Sequence, residues 1–224
     1  MQWDEFSEWG AKISQWAADY HTTLRERPVR AQTEPGDVAA LIAPSAPEGP
    51  HAMTEIMEDF ERVVMPGITH WQHPRFFAYF PANAAPPSML AEMLVSTIAA
   101  QCMLWQTSPA ATEMETVMLD WLRQAIGLPN NFSGVIQDSA SSATLVAVLT
   151  MRERALNWSG NQSGLSRAAR LRIYCSEEVH TSVDRAIWVA GIGQDNLVRI
   201  PISGKLRSMN PQLLKEAIQS DIAA

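Results

Sequence analysis

Val135-Ile136-Gln137-Asp138-Ser139-Ala140-Ser141-Ser142-Ala143-Thr144 joins a short apolar strand to a helix through a loop of small hydroxyl residues. Such a turn sets backbone N–H groups and serine hydroxyls at the positive end of a helix dipole, outside the carboxyl end of a strand. That is a ready seat for a phosphate. An ordinary serine-capped helix start uses the same residues, and this segment alone leaves both readings open. It does decide the architecture, because strand, polar turn and helix make the unit of a parallel sheet covered by helices.

The same unit recurs downstream. Strand 134–137 and helix 143–158 are followed by strand 171–175, helix 182–189, strand 196–200 and a last helix starting at Pro211. The expected fold class is therefore α/β, a mostly parallel sheet with helices on both faces. The alternation calls for another strand where the chain stops at Ala224, so the sequence reads as the front part of a longer α/β protein.

Upstream lie helices 86–103 and 109–126, the second with Ser108 at its N-cap and Pro109 at its first position. Met114, Val117, Met118, Trp121, Leu122 and Ala125 recur at helical spacing and predict its buried face, and Gly127 ends it. Residues 89–105 include Glu92, Ser96, Thr97 and Gln101, too polar for a bilayer span of ~20 apolar residues, so a buried helix is expected. The first third is helical and broken by proline. Trp3, Phe6, Trp9, Ile13, Trp16, Ala17 and Tyr20 form one helical stripe that Pro28 ends. A short helix at 38–42 sits in the proline-rich stretch 35–50, and 51–64 is helical again. The stripe needs a partner surface, either a small core of its own or another subunit. The division expected is a helical arm with an aromatic crossover at 1–83 and the first part of a large α/β domain at 84–224.

Of the 224 residues 46% are hydrophobic, enough for a sizeable core. With 17 basic and 24 acidic residues the net charge is −7, and the scattered basic residues leave no nucleic-acid footprint. Cys102 and Cys175 make neither a disulfide framework nor a metal spacing, and both read as reduced core residues. The start Met1-Gln2-Trp3-Asp4-Glu5 has no signal-peptide pattern, so a cytoplasmic location is expected.

Two more segments bear on chemistry. His180 follows one strand and precedes the next helix, in Cys175-Ser176-Glu177-Glu178-Val179-His180-Thr181-Ser182. Strand carboxyl ends of one parallel sheet share an edge, which predicts His180 in one cleft with Ser139, Ala140 and Ser141. No second ligand stands at metal spacing from it, so no metal is expected. Trp71-Gln72-His73-Pro74-Arg75-Phe76-Phe77-Ala78-Tyr79-Phe80-Pro81 holds five aromatics in a pattern too irregular for a helix. It reads either as a core crossover or as the wall of a pocket for a flat substrate.

Taken in order, this aromatic segment, Thr107-Ser108-Pro109-Ala110-Ala111-Thr112-Glu113-Met114-Glu115, the Gln137 to Ser141 loop and Val179-His180-Thr181-Ser182-Val183-Asp184-Arg185-Ala186 resemble the pyridoxal-phosphate-dependent group II amino-acid decarboxylases. The resemblance is to the aromatic-L-amino-acid decarboxylase branch and covers nearly the whole chain. It implies a fold-type I architecture with pyridoxal 5'-phosphate as cofactor. It also implies an obligate homodimer made by exchange of the N-terminal arm, and loss of the α-carboxylate of an aromatic amino acid as CO2. Ser139, Ala140 and Ser141 match the loop around the cofactor phosphate, and His180 matches the histidine stacked on the ring. Trp71, Tyr79, Phe80 and Pro81 match the substrate wall. The chain departs from the pattern at Asp138, where a small residue is common, and at Met103, where an aromatic is common. Its three lysines, Lys12, Lys205 and Lys215, stand outside the family's Asn-x-His-Lys pattern. The expectation is therefore half a site, inactive alone and completed by a companion C-terminal chain. The alternatives are a non-catalytic dimerisation or phosphate-binding fragment and a pyridoxal-phosphate-dependent aldehyde synthase.

Overall fold

The computed structural model describes residues 2–80, 84–166, 168 and 170–223. It divides into two compact units, Met1–Ala99 and Ala100–Ala224, a division by packing rather than by sequence pattern.

In the first unit, α1 (Trp3–Thr23) continues into a 3-10 turn at Leu24–Glu26 before the chain reaches Pro28. A short α2 (Asp37–Ala40) follows, then α3 (Met53–Asp59), prolonged by a π turn at Phe60–Val64. The tryptophan stripe is only partly covered here. Trp16 stacks on Tyr20, meets Phe60 edge-on and bonds the Glu61 carboxylate through its indole N–H, while Trp3 stays 83% exposed. α4 (Pro86–Ile98) starts with two prolines and ends where Ala99 takes a left-handed conformation, φ +49°. A groove between α1 and α4 is lined by Trp3, Phe6, Trp9, Met89 and Met93 among others.

The second unit begins with α5 (Pro109–Ala125). Ser108 and Pro109 start it as expected, although the Ser108 hydroxyl makes no capping bond. Gly127, at φ +72°, stops it, with the Leu128 N–H returning to Arg123 O. α6 (Ala140–Ala155), a one-turn α7 (Gly160–Ser163), β1 (Ile173–Ser176), α8 (Ser182–Val189) and β2 (Leu197–Ile200) follow. β1 and β2 pair in parallel, Ile173 against Leu197 and Ser176 against Ile200, with α8 as the crossover. A small antiparallel ladder, β3 (Ile202–Ser203) with β4 (Ser208–Met209), precedes α9 (Pro211–Ala223). Two-residue strands are too short to carry an alternating pattern, so they have no signature along the chain.

The core lies where α6 and α8 meet the sheet: Val148, Ala186, Ile187, Ala190 and Ile192, with Leu149, Ile173 and Leu197 packed against them. Polar groups pin its borders. The buried Glu153 carboxylate accepts from Arg152 and from the Asn161 N–H, and Arg152 also bonds Ala190 O at the end of α8. Arg172 holds Asp221 of α9 through two hydrogen bonds of 3.0 and 2.8 Å, and Tyr174 adds a third of 2.7 Å.

Three expectations are corrected. Residues 134–137 run without forming a strand, because no described strand pairs with them and the Ile136 N–H goes to the Glu115 carboxylate instead. The expected buried faces of α4 and α5 are exposed: Leu94 by 63%, Met114 by 63% and Trp121 by 61%. Helical periodicity shows which face is apolar, and nothing among the described residues covers these two. Cys102 is likewise exposed, so only Cys175 is a core thiol, pushed up in pKa by its burial.

Candidate functional site

α6 begins as its loop residues require. Ser139 is extended, φ −154° and ψ 162°, and its Oγ accepts the Ser142 N–H at 3.2 Å. The Ala143 N–H goes to Ser139 O. A helix start has four N–H groups without intrahelical partners, so Ala140 and Ser141 keep theirs for an outside acceptor. Together with the Ser141 hydroxyl they can hold a phosphate, and the helix dipole favours its charge. On this count the residues present fit the phosphate of the cofactor implied by the resemblance. That residues 134–137 form no strand does not disturb this geometry.

His180 is positioned by the loop between β1 and α8. That loop is tied down by the Glu177 N–H on Ile200 O, the Ile202 N–H on the Glu177 carboxylate, and Arg207 on Glu178. The His180 Nδ1 accepts the Ser182 N–H at 3.1 Å, which places the proton of the neutral ring on Nε2. His180 is exposed.

The starts of α6 and α8 come together. A cleft of about 170 Å³ between them is lined by Ser141, Ser142 and Leu145 from one helix and Ser182, Arg185, Ala186 and Val189 from the other. Thus Ser141 reaches the same cleft as Ser182, whose N–H is bonded to His180. Ser142, Ser182 and Arg185 were not singled out from the sequence. Their spacing on α8, 182 to 185, is one helical turn and could have drawn attention to a polar face. Asp138 is exposed beside the loop and makes no ion pair among the described residues.

Trp71, Tyr79 and Phe80 belong to the first unit. Trp71 stacks on Tyr79, centroids 5.5 Å apart, and on Phe76 at 5.0 Å. Tyr79 takes φ +55°, and Phe80 is 98% exposed, so the segment presents ring faces rather than filling a core of its own unit. Pro81 lies outside the described residues. The unforeseen feature is beside these rings in the sequence, where His70 and His73 are both buried. His70 Nδ1 lies 2.8 Å from the Tyr20 hydroxyl, and His73 accepts the Arg75 N–H on Nδ1 and faces Arg25 O. Burial first, then Arg27 and His73, hold the His70 pKa below its ordinary value. These histidines fasten the aromatic segment to α1. Among the described residues no group of His, Cys, Asp and Glu could hold a metal ion, and no helix is long and apolar enough to cross a membrane.

Comparison with known proteins gives a consistent result. Residues 35–224 match the pyridoxal-dependent decarboxylase conserved domain. The chain is 41% identical to the aromatic-L-amino-acid decarboxylase of Rattus norvegicus, over 98% of this chain and 48% of that protein. It is 35% identical to the phenylacetaldehyde synthase of Arabidopsis thaliana, over 100% and 46%. Oryza sativa TDC, solved with PLP and tryptamine, superposes with a TM-score of 0.90 at 30% identity, over 100% of this chain and 49% of that one. The chain spans about half the length of the curated relatives it matches.

Proposed function

The chain belongs to the pyridoxal-dependent decarboxylase family, and from that premise we propose that it is the N-terminal part of an enzyme that removes the α-carboxylate of an aromatic L-amino acid as CO2. The observation that supports this reading is the cleft that Ser141 of α6 shares with Ser182 of α8, whose N–H is bonded to His180. Ala140 and Ser141 would hold the cofactor phosphate through their N–H groups, and His180, on the loop leading into α8, would stack on the ring. Pyridoxal phosphate, when bound, supplies the electron sink for the pair left by the departing carboxylate. Trp71, Tyr79, Phe80 and Pro81 form the wall for the substrate side chain. The exposed stripe of α1 rests on a second copy of the protein, a homodimer made through the N-terminal arm. The proposed setting is the cytoplasm, where Cys102 and Cys175 stay reduced.

The chain holds half of this site. Lys12 is on α1, paired with Glu8 at 2.6 Å, Lys205 is in the turn between β3 and β4, and Lys215 is on α9. None of the three stands near His180 in the sequence or on its loop. The test is CO2 release from L-tryptophan, L-tyrosine and L-dopa, with borohydride trapping of cofactor on lysine. The chain alone is expected to give neither, and co-expression with a C-terminal half from the rat relative is expected to give both. Turnover by the chain alone would overturn the half-site reading, and failure of the folded, cofactor-loaded pair to release CO2 would overturn the decarboxylase reading.

A second reading, aldehyde synthesis, is favoured by the identity to phenylacetaldehyde synthase. Oxygen consumption with ammonia release by the completed enzyme would select it over simple decarboxylation.

A further inference from the structure

We propose that Ser182 and Arg185, on the first turn of α8, form the second wall of the phosphate site and bind the same phosphate as Ala140 and Ser141. The inference rests on the cofactor reading above and adds two contacts to it.

Three observations converge. Ser182 is 7% exposed, and its hydroxyl makes no hydrogen bond among the described residues, yet its side chain lines the cleft with Ser141. With the rest of the residue buried, that unpaired hydroxyl opens only onto the cleft, where it is free to donate to an acceptor held there. Arg185 lines the same cleft. The carboxylates nearest it in sequence are already engaged, Asp184 by Arg199 and Glu178 by Arg207. Among the described residues Arg185 itself has no ion pair. Finally, the cleft borders the start of α6 and runs along α8 from Ser182 to Val189, and its volume, about 170 Å³, suits a single phosphate group rather than a nucleotide.

The chemistry then divides simply. The α6 start gives backbone N–H donors and a hydroxyl from one side, and Ser182 Oγ gives a further donor from the other. Arg185 supplies a full positive charge in a fork that suits phosphate oxygens. Because the Ser182 N–H is bonded to His180 Nδ1, a phosphate held on Ser182 and the ring face of His180 are set by the same short segment.

The test uses the 224-residue chain, with inorganic phosphate, pyridoxal phosphate and phosphate-free pyridoxal as probes, followed by calorimetry and by fluorescence of the pyridoxal forms. Arg185→Gln is expected to weaken phosphate and pyridoxal phosphate by about tenfold, Arg185→Lys by less, and Ser182→Ala by about threefold, with pyridoxal unchanged. Far-UV circular dichroism and the urea midpoint check that each variant is folded, and exposed Arg185 gives a variant that leaves the core untouched. If Ser141→Ala weakens both phosphate probes while folded Arg185→Gln and Ser182→Ala do not, this inference falls and the cofactor reading stands. If Arg185→Gln weakens inorganic phosphate but not pyridoxal phosphate, the α8 contacts belong to a different anion site and the shared site is refuted. Absence of phosphate binding by the unaltered chain overturns the inference as well.

Discussion

Tyr20 Oη lies 2.8 Å from Nδ1 of His70, fifty residues away in sequence, and this bond joins α1 to the segment that holds Trp71 and Tyr79. Arg27 sits over the Tyr20 ring at 5.2 Å, so the bond is roofed by a cation, and His73 stands beside it. Tyr20→Phe leaves Nδ1 of a buried ring without its partner and is expected to destabilise the first unit by about 1 kcal/mol, read from urea unfolding. The pH dependence has a definite sign. The folded pKa of His70 is lowered, so below about 6.5 the unfolded chain takes up a proton that the folded chain refuses. Stability is full above that pH and falls as the pH drops toward the folded value. His70→Gln should flatten this part of the profile, and an unchanged slope would show that His70 does not set it.

Asp221 responds lower on the pH scale. Its carboxyl is held below the ordinary value by the hydrogen bonds from Arg172 and Tyr174. The contribution is present above the unfolded pKa, near 3.9, and is lost as the pH falls through the folded one. Asp221→Asn is expected to loosen α9 at neutral pH and to remove that acid-limb dependence. Amide hydrogen exchange on α9 is the measurement, with protection equal to the unaltered chain as the outcome against it.

Ile187 has no exposed surface and stands at the centre of the α6–α8–sheet core. Ile187→Ala is expected to cost about 2–5 kcal/mol, part lost transfer and part residual cavity. Trp188→Ala, next in sequence but 61% exposed, should cost much less in the same urea experiment. Equal losses would place the core elsewhere.

Asp138→Asn is expected to strengthen phosphate binding to the α6 start a few-fold at low salt, and less at 0.5 M salt, because it removes a charge adjoining the anion seat. Titration of inorganic phosphate at both salt levels decides it. No gain at low salt would mean that the carboxylate points away from the site.

Much of this protein was legible in the sequence because it is encoded locally. The serines at 139–142 start α6 by hydrogen bonds within four residues, Pro109 and Gly127 bound α5, and the α8 stretch 182–189 forms as read. Motifs kept in order along the chain were enough to name the family. What sequence could not decide depends on partners distant along the chain. Residues 134–137 have the composition of a strand, but a strand exists only if another pairs with it. The stripe Met114, Val117, Met118, Trp121 and Leu122 marks an apolar face, but burial requires something placed on it. The reverse holds for His70 and His73. In the sequence no acidic residue stands beside either, and folding buries them against Tyr20, Arg25 and the backbone of their own turn. Ser182 and Arg185 meet Ser141 because α6 packs on α8, forty residues later in the chain. Local hydrogen bonds and periodicity fix elements one at a time, whereas a shared cleft comes from the packing between elements, which three-dimensional structure alone supplies.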